Sequence, residues 1–252
     1  MTYRFLIAAA GLWLMSVAAA GDAKPYRVSL VGGGLAGGVW QAGVLVELDP
    51  GWKTYWRMPG DSGVAPQFTW TTSVPAEVSV SYPTPARYSD AGGETVGYKS
   101  QVLFPVTVKA AAADELTLTL DLFFGVCKDI CIPVQAQESI RLTSQTQDPA
   151  GSARIEAAQQ TSPRPGEAIS VGKVVEESGA LWLELHLSQP VGDVFVESLT
   201  SAYFRAPEFS QDGRVARLLI DNLSDPAKLQ GQRLTLTYTI GGKGYEQVLS
   251  LN

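Results

Sequence analysis

Short runs in which apolar and polar residues alternate, each closed by Gly, Pro, Asp or Ser, repeat along the chain from Tyr26 onward. Period-two alternation puts every second side chain on one face, the mark of strands that bury one side. The clearest runs are YRVSLV (26–31), VWQAGVLVEL (39–48), QFTW (67–70), AEVSVSY (76–82), SQVLFPVTVKA (100–110) and ELTLTLDLFF (115–124). In the last of these, Leu116, Leu118, Leu120 and Leu122 share a face. Turn chemistry at DPGW, MPGDSG and DAGGETVG separates them, and helical periodicity is almost absent. The pattern predicts an all-β antiparallel sandwich over residues 21–143.

Residues 144–166 lack large apolar side chains apart from Ile155 and are rich in Gln, Ser, Ala and Pro. They read as a linker with one or two helical turns around 153–160. Alternation resumes in AISVGKVVEE (168–177), ALWLELHLS (180–188), DVFVESL (193–199), RVARLLIDNL (214–223), LTLTYTI (234–240) and YEQVLSL (245–251). A second, smaller sandwich over residues 167–252 follows, with GGKG (241–244) joining its last two strands.

The amino terminus differs. Arg4 precedes an uninterrupted apolar run from Phe5 to Leu14, and Ala18, Ala19 and Ala20 close it. This is the pattern of a secretory signal peptide, residues 1–20, cut after Ala20. The run is too short for a comfortable bilayer span, and no later stretch supplies one, so the sequence predicts an exported protein with no membrane insertion after signal removal. The formal charge of −6 argues against binding to nucleic acid or anionic lipid.

Both cysteines of the chain, Cys127 and Cys131, lie in FFGVCKDICIPV, separated by Lys128, Asp129 and Ile130. A three-residue hairpin loop would make them facing partners in a compartment that permits disulfides. Closing a loop this short removes only about 2 kcal/mol of unfolded-state entropy, so a bridge here is a poor staple. A local structural staple in a non-catalytic binding or assembly module remains the alternative. Phe123, Phe124, Val126, Ile130 and Ile132 form an apolar setting that disfavours thiolate; Lys128 favours it and Asp129 opposes it.

Three blocks, GWKTYWRMPGDSG (51–63), GGETVGYKSQVLFPV (92–106) and FFGVCKDICIPV (123–134), resemble the amino-terminal periplasmic domain of the DsbD family of thiol:disulfide interchange proteins, in its ScsB-like branch. The resemblance covers Tyr26 to Arg141. It implies an immunoglobulin-like sandwich whose cysteine pair shuttles between disulfide and dithiol in the periplasm. The donor would be a thioredoxin-like domain or a membrane electron-transfer hub of the DsbD or CcdA type, and the acceptors periplasmic disulfide-bearing proteins. It further implies that Cys131 forms the mixed disulfide and Cys127 resolves it. A cap loop would span Gly93 to Tyr98, with Glu94 as its acidic member and Val96 or Tyr98 as cover. Tyr55, Trp56 and Phe124 would line the pair beside Lys128 and Asp129. The cysteine spacing of three residues is shorter than the five of the best-known members.

Other signals carry less. Gly32, Gly34 and Gly37 spell G-x-G-x-x-G, but a strand pattern follows instead of the helix a dinucleotide site requires. His186 is the sole histidine, too few partners for a triad or a zinc site. ScsB-type proteins are associated with copper tolerance, yet Met58 is the one methionine beyond the leader, so a cupredoxin-like ligand set is not available. No cofactor or metal is expected. Trp52, Tyr55, Trp56 and Trp70 read as packing ahead of a binding stripe, and Asp61, Asp90 and Glu94 as scattered turn acids.

Overall fold

The computed structural model describes residues 24–60, 63–90, 93–110, 114–145, 148–223 and 225–251. The expected leader and Asp61 lie outside the described residues. The first sandwich comprises β1 (Tyr26–Ala36), β2 (Val39–Leu48), β3 (Lys53–Gly60), β4 (Gln67–Thr72), β5 (Ala76–Val80), β6 (Ala86–Asp90), β7 (Gly93–Lys99), β8 (Gln101–Ala110), β9 (Glu115–Cys127) and β10 (Cys131–Thr143). One sheet runs β1-β2-β8-β5 and the other β10-β9-β3-β7-β6, with β4 also paired to β9.

β9 organises this unit. Its alternate residues Leu116, Leu118, Leu120, Leu122 and Phe124 are at most 1% exposed, and they meet Val44, Val46, Val106 and Val108 of the facing sheet in one core. On one side β9 pairs with β10 along its whole length. On the other it pairs first with β4, from Leu118 to Phe123, and then with β3, at Val126 and Cys127. The change of partner falls at Gly125, whose amide donates to the Val64 carbonyl at 3.2 Å. β10 is the outermost strand of its sheet, which accommodates Pro133 and its missing amide proton.

Segment 93–98, expected as a cap loop, is part of strand β7, paired with β3 on one side and β6 on the other. The glycine run 32–37 lies in β1 and the turn after it, with a bulge between Gly32 and Gly34, and strand β2 follows.

Within the expected linker, α1 (Pro149–Thr161) is a full helix of 13 residues. Asp148 caps it by accepting from the Gly151 amide at 2.9 Å, and Pro149 occupies the first turn, where its missing donor costs nothing. Ile155, 2% exposed, packs with Val31 and Leu45 against the first sandwich. Its side chain fits because Gly33 has none: a Cβ there would come within 2.8 Å of Ile155 Cδ1. The segment between the sandwiches is therefore docked, held by one apolar residue in a hole that periodicity along the sequence does not reveal.

The second sandwich has its own core, including Leu183, Leu185, Leu218, Leu234, Leu236 and Tyr238. One of its sheets places Arg164–Pro165, Lys243–Ser250, Arg233–Ile240 and Val194–Glu197 side by side. The other runs Ile169–Glu177, Ala180–Leu187, Val215–Asp221 and Tyr203–Phe204, with Glu208–Phe209 also on Val215–Asp221. The terminal hairpin turns through Gly241 and Gly242, whose φ values of 56° and 78° suit a two-residue turn that other residues adopt poorly.

The two sandwiches meet through an apolar centre and two arginines. Trp56 of β3 packs edge-on to Phe195, with ring centroids 5.7 Å apart. Arg57 donates from Nε to both carboxylate oxygens of Glu197 at 2.9 Å and also engages Glu246. Arg87 of β6 donates to Asp193 at 3.2 Å and to the Val194 carbonyl at 2.9 Å, and it pairs with Glu94. Tyr203 of the second unit also donates to Glu94. Burial opposes the Arg87 charge, but Asp193 and Glu94 more than offset that and hold its pKa above the ordinary value. Its side chain is only 9% exposed, so removing it strands two carboxylates with little water. Arg87→Met should destabilise the protein by about 3 kcal/mol; chemical denaturation would show a lowered midpoint, most marked for probes in the second sandwich.

Candidate functional site

The β9–β10 hairpin sets Cys127 directly opposite Cys131, with Cα atoms 4.1 Å apart and the sulfurs bonded. Lys128, Asp129 and Ile130 form the tip, closed by a Lys128 amide to Ile130 carbonyl bond of 3.2 Å. The two sulfurs have different surroundings. Cys127 is buried at 6% exposure, whereas Cys131, the first residue of an edge strand, is exposed.

Strand alternation sorts the neighbours. Val126 and Phe124 point into the core with the leucine row, so Cys127 and Gly125 belong to the outer face. On β3, Lys53 is the cross-strand partner of Cys127 and Thr54 that of Val126. Lys53 and Tyr55 therefore share the outer face with the cysteines, while Thr54 and Trp56 face inward. Outer-face residues of a sandwich are ordinarily wet, yet Lys53 is 3% and Tyr55 2% exposed. The segment after β3 covers Tyr55, because a Cβ on Gly63 would lie 2.5 Å from Tyr55 Cδ1.

Tyr55 is the best-positioned side chain at the pair. Its ring lies between Gly63 and Gly125, and a Cβ at Gly125 would come within 2.6 Å of Tyr55 Cε2. The absence of a side chain at 125 lets the ring cross β9, so that its hydroxyl donates to Cys131 Sγ at 2.9 Å. Thr54 Oγ1 donates to the Gly125 carbonyl at 2.8 Å and fixes the strand at this crossing. Lys128 lays its stem over Gly51, whose Cβ position is 3.1 Å from Lys128 Cε. Ile130, 67% exposed, leaves apolar surface at the hairpin tip beside the accessible sulfur.

Of the residues singled out from the sequence, Tyr55, Lys128 and Asp129 are gathered at the disulfide. Trp56 and Phe124 are core residues on the opposite face, Phe124 packing edge-on to Tyr26 at 5.3 Å. Val96 and Tyr98 are buried in the same core on β7, with β3 lying between them and β9. The Tyr98 hydroxyl donates to the Pro83 carbonyl at 2.7 Å, and burial pushes its pKa well up. Glu94 sits at the junction of the two sandwiches. Lys53 and the two glycines that admit the Tyr55 ring were not singled out. Lys53 did carry a signal, since it alternates with Tyr55 in KTYWRMPG.

Fold and site together define an immunoglobulin-like sandwich carrying a disulfide at a hairpin tip, one sulfur exposed and one buried. Residues 28–143 match the family described as thiol:disulfide interchange protein DsbD, N-terminal, and this first sandwich is DsbD N-domain-like. The N-terminal periplasmic domain of ScsB from Proteus mirabilis superposes with a TM-score of 0.73 at 26% identity, covering 92% of this chain and 95% of that one. A YadV chaperone (8% identity, 89% of this chain and 99% of that one, TM-score 0.24) and a pair of titin immunoglobulin domains (11%, 90% and 95%, 0.21) superpose far less well. No curated protein matches.

A hydroxyl donating to sulfur favours the thiolate over the thiol. In a Cys127→Ala background, Tyr55→Phe should therefore raise the Cys131 thiol pKa by roughly one unit. The midpoint of the rate of alkylation against pH measures it; an unchanged midpoint would show that the hydroxyl does not act on the sulfur.

Proposed function

We propose that this chain is a periplasmic thiol-disulfide interchange protein that relays reducing equivalents through Cys131 and Cys127. The donor is a thioredoxin-like domain linked to a membrane hub, and the acceptors are exported proteins bearing disulfides. The observation that carries this reading is the asymmetry of the bridge: Cys131 is open to an attacking thiolate and receives the Tyr55 hydroxyl, while Cys127 is enclosed. The family match and the likeness to the ScsB domain support both the chemistry and the compartment.

The reaction balances as two exchanges. A donor thiolate attacks Cys131 Sγ, the bond between the two cysteines breaks, and its electron pair leaves on Cys127. The donor's second thiol then releases Cys131, so the donor leaves as a disulfide and this chain as a dithiol. Downstream, Cys131 attacks an acceptor disulfide, and Cys127 displaces the acceptor by attacking Cys131, which restores the bridge. Cys127 acts as a nucleophile only in this second exchange, because the same attack during the first would regenerate the starting disulfide.

The competing reading, a structural staple, finds little support in the hairpin. β9 and β10 are already paired from Cys127–Cys131 down to Glu115–Thr143, so a bridge at the tip closes a loop that hydrogen bonds hold shut. A reduction potential above about −300 mV is expected, since inert structural bridges lie below that value. In periplasmic extract, Cys127→Ala should accumulate a mixed disulfide through Cys131, seen as a reductant-sensitive band, and Cys131→Ala should not. Failure to trap any partner would count against the relay.

A further inference from the structure

Between the two sandwiches lies a cavity of about 260 Å³ whose wall both of them supply. Trp56, Met58 and Val96 line it from the first unit, and Phe195, Tyr203 and Phe204 from the second. Ser201 and Asn222, also in the wall, are exposed, whereas Trp56, Val96, Phe195 and Phe204 are at most 4% exposed. The cavity therefore runs from an open rim to an apolar floor. Trp56 is fully buried in that floor, and its indole N–H, which can only donate, has no hydrogen-bond partner among the described residues. A buried donor left unmet is costly, and folded proteins keep few of them without a reason.

We propose that this cavity binds a small uncharged molecule, a single aromatic ring bearing one carbonyl oxygen, with the ring on the apolar floor and the oxygen accepting the Trp56 N–H. The volume lies below the usual range for drug-sized ligands, which selects a compact molecule. The hydroxyls of the wall are already committed. Thr200 Oγ1 bonds Ser198 Oγ at 2.8 Å, Ser201 Oγ donates to the Asn222 carbonyl at 3.4 Å, and Tyr203 donates to Glu94. The indole is left as the buried polar group still to be met, so the ligand brings an acceptor and no second polar group.

Charge on the ligand is disfavoured in either sign. Arg87 also lines the cavity, but Glu94, Asp193 and the Val194 carbonyl engage its guanidinium. With two carboxylates on that one cation, an incoming anion meets repulsion. A cation would seek an aromatic face, and two of these are taken: the Arg57 guanidinium lies 4.5 Å from the Trp56 ring centre and that of Arg87 4.9 Å from the Phe195 ring centre. Because both sandwiches supply the wall, an occupant touches both and favours their docked arrangement. Trp56 faces away from the disulfide, on the opposite side of β3 from Tyr55, so this inference stands apart from the relay reading.

The test is a nuclear magnetic resonance titration of the isotope-labelled full chain with three probes of similar shape: acetophenone, ethylbenzene and benzoate. The Trp56 indole signal is identified as the one lost in Trp56→Phe. Acetophenone should move that indole proton downfield and saturate, with a Kd on the order of 1 mM. Ethylbenzene, which lacks the acceptor, should bind about fivefold more weakly, and benzoate should leave the signal in place. In Trp56→Phe the two neutral probes should bind equally, as followed on the Val96 methyl signals. Ala202→Leu, which lengthens a side chain of the wall, should abolish binding while the other indole signals keep their positions. An indole proton that acetophenone does not move, a preference for the ketone that survives Trp56→Phe, or shifts spread evenly over all the tryptophans would overturn the site. So would an indole proton held upfield over the Phe195 ring in every sample, since the ring would then be its acceptor.

Discussion

The register between β9 and β10 is the constraint on which the rest depends. The leucine row of β9 must face the core, which fixes every other residue of that strand to the outer face and carries Cys127 with it. Sliding β10 by one residue would turn its side chains over and separate the sulfurs. Hydrophobic burial thus places the chemistry, and no part of the site has to be held by its own interactions alone. The cost falls on β3, which must bring Tyr55 onto a face that would otherwise be wet, and the segment after β3 meets it by covering the ring.

β3 also joins the site to the second sandwich. Within three consecutive residues it presents Tyr55 to the disulfide, then Trp56 and Arg57 to Phe195, Glu197 and Glu246. Burial opposes the charge on Arg57, and the facing carboxylates outweigh it and raise its pKa. The second sandwich therefore braces the strand that holds the hydroxyl on Cys131. This gives a physical reason for a cysteine-free unit to accompany the cysteine-bearing one, and the likeness to the ScsB domain extends over 92% of the chain.

Much of this was legible in the sequence. Alternation gave most strands of both sandwiches, though not β6 or β7, and the cysteine spacing gave the hairpin, because both depend on local period and loop length. The site lining was less legible. Trp56 and Phe124 are adjacent in sequence to Tyr55 and Gly125, but adjacency along a strand means opposite faces. Val96 and Tyr98 sit in a stretch rich in turn residues, which reads as a loop; Gly97 instead brings β7 against the β3 backbone, where a Cβ would lie 2.0 Å from the Thr54 carbonyl oxygen. Helix α1 is understated by the sequence because its apolar anchor, Ile155, derives its hold from Gly33, more than a hundred residues away.

Pro133 stands two residues beyond Cys131 on the outermost strand, with no amide proton to offer along that margin. A visiting polypeptide that tried to zip itself onto the sheet beside the open sulfur would meet a gap at its second step. Encounters are thereby restricted to side-chain contact around a single atom, which favours quick departure over lasting embrace. In the proposed relay, where one protein is met after another, brevity of each visit is a property the sheet margin itself supplies.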